Sequence, residues 1–375
     1  MKLTLDPGAA TLLDALHAAG YAAYAVGGCV RDSLLGRTAH DWDLCTSALP
    51  QQVMELFGAE QCIPTGLQHG TVTIKYGGQL YETTTFRTEG SYTDGRHPDA
   101  VQFVPDVRED LARRDFTINA MAYSHETGIV DAFDGMGDLE KKVIRCVGCP
   151  RDRFTEDALR ILRAIRFAAQ LGFSIEGETY GVIREIAPNL KNVSKERIQV
   201  ELTKLLTSAH PEKISMVEDT GISPYVTRDF PLVFQTERER MAGGTSRPEP
   251  FSCLALLPPE KSMRWAGFLR HMEPDMVRRI LKGLKLDNET VDNGKAMAGA
   301  AQAPLGPEKP GIRRFLSRMT PYQFDGCLRL KALDKDPQTE EIRRLWEEIE
   351  KDGDCVSLKE LAVGGGDLLA AGMEG

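Results

Sequence analysis

Nowhere does this sequence contain an uninterrupted apolar run of the roughly 18 residues that a membrane-crossing helix needs. Its opening residues, Met1-Lys2-Leu3-Thr4-Leu5-Asp6, hold no apolar core of signal-peptide length. Cytoplasmic residence without a membrane partner is therefore the expectation. Only one C-x-x-C pair, Cys146 and Cys149, occurs among the eight cysteines. A zinc site wants a second pair or neighbouring histidines. Neither is present, so the cysteines are expected to be reduced, structural thiols. The seven histidines are scattered, and no His-Asp doublet is flanked by others, so there is no sign of a phosphohydrolase module. An excess of positive charge is missing too: the net charge of −9 argues against non-specific coating of nucleic acid. Basic stretches are local. Residues 151–213 carry eleven Lys and Arg against nine Asp and Glu, and Arg278, Arg279, Lys282 and Lys285 form a second basic run. A polyanionic partner is expected at one of these. There is no internal repeat and no low-complexity tract.

What is present is a globular chain of 375 residues, 42% hydrophobic and 27% charged. That length suits about two to four domains. Residues 10–19 have helical periodicity and Gly20 is a helix stop. Residues 21–26 form a short apolar strand that ends at Gly27-Gly28, and Pro50 opens a helix over 50–57. Residues 71–76 and 80–86 are rich in β-branched and aromatic side chains, and Gly77-Gly78 between them predicts a hairpin. Residues 87–99 are polar and unpatterned, which predicts a mobile loop; residues 131–138 suggest a turn-rich link, with the first domain ending near Pro150. Beyond it strand signals nearly vanish. Residues 154–173 predict one amphipathic helix whose buried stripe is Ala158, Ile161, Leu162, Ile165, Ala168 and Ala169. Its other face carries Asp157, Arg160, Arg163 and, slightly rotated, Arg166. Ser194 is placed to cap another helix. Residues 211–375 look helical, with 303–311 as a linker before a tail.

Chemistry concentrates between Gly27 and Asp43. Glycines at a strand–helix junction let backbone approach a ligand, and the amides that open the helix suit a phosphate. Arg31 adds a forked cationic donor. Asp41 and Asp43 follow ten residues later. If residues 41–45 form a strand, both carboxylates point to one face. Their mutual repulsion calls for a cation, and beside phosphates Mg²⁺ is the usual one. Glu82 on the predicted hairpin is a candidate third carboxylate, although a surface glutamate is the simpler reading.

This combination resembles the nucleotidyltransferase superfamily. Within it the likeness is to class II, the tRNA nucleotidyltransferases (CCA-adding enzymes) and bacterial poly(A) polymerases. Arg113-Arg114-Asp115-Phe116-Thr117-Ile118-Asn119-Ala120 resembles the family's second motif, which closes the nucleotide site. The segment from Glu156-Asp157 through Arg160, Arg163 and Arg166-Phe167 resembles its third. The resemblance implies nucleotide contacts for Gly28, Arg31 and Arg114, and two catalytic metals held by Asp41 and Asp43. It implies an α+β fold: a mixed α/β nucleotidyltransferase head with a small β-sheet (1–150), then an all-helical neck with base recognition (151–210), body (211–305) and tRNA-binding tail (306–375). The implied reaction transfers CMP, CMP and AMP from CTP and ATP to the tRNA 3′ end, with pyrophosphate released. It leaves the oligomeric state open, a homodimer included.

The residues agree with that chemistry. A carboxylate accepts from an exocyclic amine and a guanidinium donates to ring nitrogen or carbonyl acceptors, so Asp157 and Arg160 together suit the edges of C and A. Arg163 and Arg166 would support them. A CC-adding enzyme would lack part of the loop that here runs intact from Thr88 to Asp99. A poly(A) polymerase would carry an extra basic segment where this chain has residues 63–71. A catalytically dead RNA-binding scaffold would not need Asp41, Asp43 and Arg114.

Overall fold

The computed structural model describes residues 2–90, 100–242, 250–357, 360, 363 and 365–372. Residues 91–99, most of the predicted loop, lie outside them. Two compact units emerge, Met1–Ser194 with Thr220–Tyr225, and Lys195–Asp219 with Val226–Gly375.

The first unit opens with α1 (Pro7–Ala18), capped by the Asp6 carboxylate, which accepts from the amides of Gly8 and Ala9. There follow β1 (Ala23–Val26), α2 (Gly28–Leu34), β2 (Leu44–Thr46), α3 (Pro50–Phe57), β3 (Cys62–Gly66), β4 (Thr71–Tyr76) and β5 (Gln79–Thr85). Gly77 and Gly78, at φ 58° and 79°, make the β4–β5 turn with both central residues left-handed, the twist a tight hairpin prefers. Next come β6 (Arg87–Glu89), β7 (Val101–Phe103), α4 (Val107–Ala112), β8 (Met121–Ser124), β9 (Gly128–Asp131) and α5 (Gly135–Lys141). Seven strands form one mixed sheet in the order β3-β4-β5-β2-β1-β8-β9. Only β2 and β5 pair in parallel. Leu12, Leu13 and Leu16 of α1 and Val53 of α3 are buried on it. Tyr24, Val26, Cys45, Phe86, Leu111, Ala120 and Ala122 form a further core cluster.

The unit continues with β10 (Val143–Ile144), α6 (Pro150–Glu156), α7 (Leu159–Leu171), β11 (Ser174–Ile175) and α8 (Gly177–Ile186), with β10 and β11 pairing in parallel. All six residues of the predicted apolar stripe are buried. Gly172, at φ 71°, ends α7 in a left-handed cap.

Four local expectations need correction. Residues 154–173 are not one helix, because Asp157 adopts an extended conformation (φ −144°, ψ 103°) and its Oδ1 accepts from the Leu159 amide at 3.0 Å. An aspartate that bonds the backbone two residues on competes with helix continuation. Regular pairing of β2 starts at Leu44, so Asp41 and Asp43 lie on its lead-in. Residues 87–89 are no loop but strand β6, paired to β7. The 131–138 link ends in α5, which Asp134 enters with φ 59°.

In the second unit the helices are α9 (Lys195–Leu206), α10 (Ser215–Asp219) and, after α11 (Ser223–Val226), which belongs to the first unit except for Val226, α12 (Phe230–Ala242), α13 (Lys261–Phe268), α14 (Pro274–Gly283), α15 (Asn288–Gln302), α16 (Lys309–Leu316), α17 (Pro321–Leu333), α18 (Thr339–Asp352) and α19 (Gly365–Ala370). Leu305, Ile312, Leu316, Phe324, Leu328, Ile342 and Ile349 share one core cluster. No helix among the described residues is long and apolar enough to cross a membrane.

Candidate active site

The site begins where β1 ends. The Val26 amide donates to the Asp43 carbonyl at 3.0 Å and the Gly27 amide to the Met121 carbonyl at 3.1 Å, so three chain segments meet at one corner. Gly27 has φ 79° and ψ −125°, a region that residues with a Cβ rarely adopt. A Cβ there would lie 3.1 Å from Nη1 of Arg114. The glycine thus admits the Arg114 guanidinium as well as the turn. One helical turn into α2, Arg31 is nearly buried. Its Nε and Nη2 donate to the two oxygens of Asp32, both at 2.9 Å, and its Nη1 donates to Oδ1 of Asn119 at 2.6 Å.

Asp41 and Asp43 are exposed on either side of buried Trp42, so they share a face before the strand ladder begins. Leu44 pairs with Thr83 of β5, which carries Glu82 to the same end of the sheet. Asp43 keeps an open face to solvent, yet its carboxyl is raised above the ordinary range. The surrounding protein is the largest cause, Glu82 the next; Arg114 pulls the other way and Asp41 adds to the rise. Among the described residues no three His, Cys, Asp or Glu side chains gather closely enough to form a metal cage. Asp41 and Asp43 by themselves offer two carboxylates, and Mg²⁺ is commonly held by one or two carboxylates with substrate phosphates and water completing its shell. The donor chemistry, all oxygen and with negative charge in excess, fits it as well.

Arg114 stands between this acidic corner and the interior. Its Nη2 donates to Oδ2 of Asp110 at 3.3 Å, while its buried Nε has no hydrogen-bond partner among the described residues. Asp110 is fully buried; burial alone would raise its carboxyl, but Arg113 and then Arg114 bring it below the ordinary range. Arg113 also reaches Glu89 of β6 at 2.8 Å. Arg113-Arg114 is thus a built cationic cluster rather than a solvated helix end.

Asp115 links this motif to α7. Its Oδ2 accepts from Nε of Arg163 at 2.7 Å, and its Oδ1 from the Phe116 amide at 2.8 Å and from Nδ2 of Asn119 at 3.3 Å. Burial opposes the charge, but Arg163 and Arg160 together with these hydrogen bonds lower the carboxyl to about 2. Arg160 donates to Oε2 of Glu156 at 2.6 Å and to the Arg113 carbonyl at 3.4 Å. Arg166 is buried and donates to Oε1 of Gln170 at 2.7 Å. The guanidinium carbons of Arg31, Arg163 and Arg166 lie 5.2, 5.5 and 3.8 Å from the centroid of the Phe167 ring.

The residues singled out from sequence therefore fall into two groups. Gly28, Arg31, Asp41, Asp43 and Arg114 surround the end of β1. Asp157, Arg160, Arg163 and Arg166 line the start and one face of α7, with Arg163 tied back to the first group through Asp115. Asp32, Asp110, Asp115, Asn119 and Phe167 were not singled out. Asp115 and Asn119 lay inside a recognised motif, four residues apart. Phe167 gave no separate signal, because an aromatic beside an apolar stripe looks like core. All eight cysteines are free; Cys146 is buried, and burial and then Asp115 push its thiol up to about 12, whereas Cys149 is exposed.

Two family models match parts of this chain, and residues 146–171, which include the α7 group, lie between the two matches. The family described as "Poly A polymerase head domain" matches residues 23–145, and that described as "Probable RNA and SrmB- binding site of polymerase A" matches residues 172–231. The CCA-adding enzyme of Lactiplantibacillus plantarum is 40% identical over 294 residues, 78% of this chain and 70% of the relative. That of Streptococcus mutans is 36% identical over 367 residues, 96% of this chain and 86% of the relative. Among solved structures, the Bacillus stearothermophilus CCA-adding enzyme in complex with CTP superposes with a TM-score of 0.78 at 31% identity, covering 99% of this chain and 89% of that one.

Proposed function

This chain belongs to the CCA-adding enzymes of the poly(A) polymerase superfamily, and from that membership we propose that it adds and repairs the 3′-terminal C-C-A of tRNA. CTP and ATP are the donors, no nucleic-acid template is used, and pyrophosphate leaves. The observation that carries the reading is the placement of Asp41 and Asp43, exposed on either side of buried Trp42, beside the turn that presents Gly28 and Arg31; the Asp43 carboxyl is raised there by its surroundings first and by Glu82 next. Unbalanced negative charge next to a phosphate corner suits metal-assisted transfer of a nucleotide.

Nucleotidyltransferases of this superfamily are generally dependent on a divalent metal. We assign Mg²⁺ here, held by Asp41 and Asp43 with Glu82 adjacent; when bound it supplies Lewis-acid activation of the tRNA 3′-hydroxyl and neutralises charge on the leaving pyrophosphate. The chain's own groups do the rest. Gly28 and Arg31 receive the triphosphate, and Arg114 orients it. Asp157 and Arg160 read the base edge. Asp157 accepts from the exocyclic amine that C and A share, and Arg160 donates to the neighbouring acceptor. Arg163 and Arg166 hold that surface in place. Residues 1–150 serve as catalytic head, 151–210 as neck, 211–305 as body and 306–375 as tail on tRNA, in the cytoplasm.

The test incubates the protein with tRNA lacking its 3′ C-C-A and with labelled CTP or ATP, with and without Mg²⁺. Two C residues and one A, added only with Mg²⁺, are expected. Stopping after C-C would make it a CC-adding enzyme, a long A ladder a poly(A) polymerase, and no incorporation a binding scaffold.

A further inference from the structure

Two routes join Arg31 of α2 to Arg163 of α7. The polar route runs from Nη1 of Arg31 to Oδ1 of Asn119 (2.6 Å), from Nδ2 of Asn119 to Oδ1 of Asp115 (3.3 Å), and from Oδ2 of Asp115 to Nε of Arg163 (2.7 Å). The apolar route is the Phe167 ring, which lies within 5.5 Å of both guanidinium carbons and is itself braced edge-on by Phe116 at 5.8 Å. Together they close a ring of five side chains. Asn119 is suited to its place because it has one acceptor for a cation and one donor for an anion. Aspartate there would face Asp115 with like charge, and alanine would leave both neighbours short of a partner. Asn119 and Phe167 are both buried.

We propose that Asn119 and Phe167 are positioning residues that couple Arg31, on the triphosphate, to Arg163, beside the base, so that phosphates and base are bound by one unit. This rests on the nucleotide-contacting roles proposed above for the two arginines. Neither Asn119 nor Phe167 need touch nucleotide. Their function is to stop the two guanidiniums from moving independently, which matters because small displacements of positioning groups cost much of the rate.

The experiment is a double-mutant cycle read in the dissociation constant for CTP. Arg31→Lys and Arg163→Lys are made singly and together, in the parent chain and in an Asn119→Ala chain. Each single change is expected to weaken binding about tenfold, the scale of one charged hydrogen bond. The pair should lose clearly less than the product of the two, because breaking either end already releases the ring. With Asn119→Ala the two losses should multiply. Phe167→Leu should likewise remove the coupling and Phe167→Tyr, which keeps the ring, should restore it; this pair decides the matter if Asn119→Ala does not fold. Asn119→Ala should also raise KM for CTP and ATP in parallel, more than it lowers kcat. Losses that multiply in the parent chain would overturn the proposal. So would a lower Tm for Asn119→Ala with the coupling intact, since that is packing alone. Wild-type turnover on tRNA judges the function separately from the cycle, which is read by binding.

Discussion

Asp43 is held in a setting that opposes its own charge, and that is the mark of a group kept for chemistry rather than stability. Asp41→Ala or Asp43→Ala is expected to remove incorporation of both CTP and ATP while tRNA binding survives. More than about a tenth of wild-type turnover, a loss under about 1.4 kcal/mol, would refute the metal role. Asp43→Asn sharpens the test. The folded carboxyl is raised, so at neutral pH its ionisation works against folding; removing the charge should leave Tm unchanged or higher while turnover disappears. Asp115 is the opposite case. Its folded value of about 2 lies below the ordinary 3.8, so it stabilises the fold at every pH above the ordinary value. That contribution, about 2 kcal/mol, is lost as pH falls from about 4 to about 2. In Asp115→Asn the acid-induced loss of unfolding free energy should shrink by about that amount, measured by urea unfolding at about pH 5 and about pH 2. An unchanged acid profile would show that Arg163 does not hold this carboxylate in solution.

Among the elements, the break between α6 and α7 carries the most function. Asp157 both starts α7, through the Leu159 amide, and is proposed to read the base. The two roles separate by substitution. Asp157→Asn keeps an oxygen for the amide and should hold Tm, yet it should relax discrimination against UTP and GTP. Asp157→Ala should lose discrimination and, in addition, about 1 kcal/mol of stability as a missing cap. If Asp157→Asn incorporates all four nucleotides in wild-type proportions, the residue is a cap and no more. The break also shows where the sequence stops being legible. The buried stripe of α7 was readable because a period of 3.6 depends only on neighbours along the helix. The kink was not, because the Asp157 carboxylate chooses between solvent, base and backbone in three dimensions. Strand β6 was hidden because its partner β7 lies across a polar stretch that has no period of its own. The charged residues of the site were legible as types at fixed spacings. Their pairing was not, since Arg163 finds Asp115 only 48 residues away in sequence.

At the scale of the whole molecule, a chain of net charge −9 must still hold a polyanion. That is physically consistent only if cations are gathered where the RNA lies. The outer face of α14 is one such place. Val277, Ile280 and Leu281 are buried, and Arg278, Arg279 and Lys282, with Lys285 two residues past the end of the helix, are all exposed. Arg279 is partly engaged by Asp229 at 3.3 Å, whereas Lys282 and Lys285 form no ion pair among the described residues. A simpler account exists: cations at a helix C-terminus offset its dipole, worth about 0.3–1 kcal/mol each. The accounts differ in what salt does. Phosphate contacts release counterions, so each lowers log K by about 0.7–0.9 per decade of salt. Replacing Arg278, Lys282 and Lys285 by Gln should therefore weaken tRNA binding and flatten its salt dependence by about 2 in slope, with the dissociation constant for CTP unchanged. Tm should fall only slightly, since all three side chains are exposed. A lower Tm with an unaltered salt slope would assign these cations to the helix dipole. It would move the tRNA surface elsewhere, the 151–213 stretch being the next place to look.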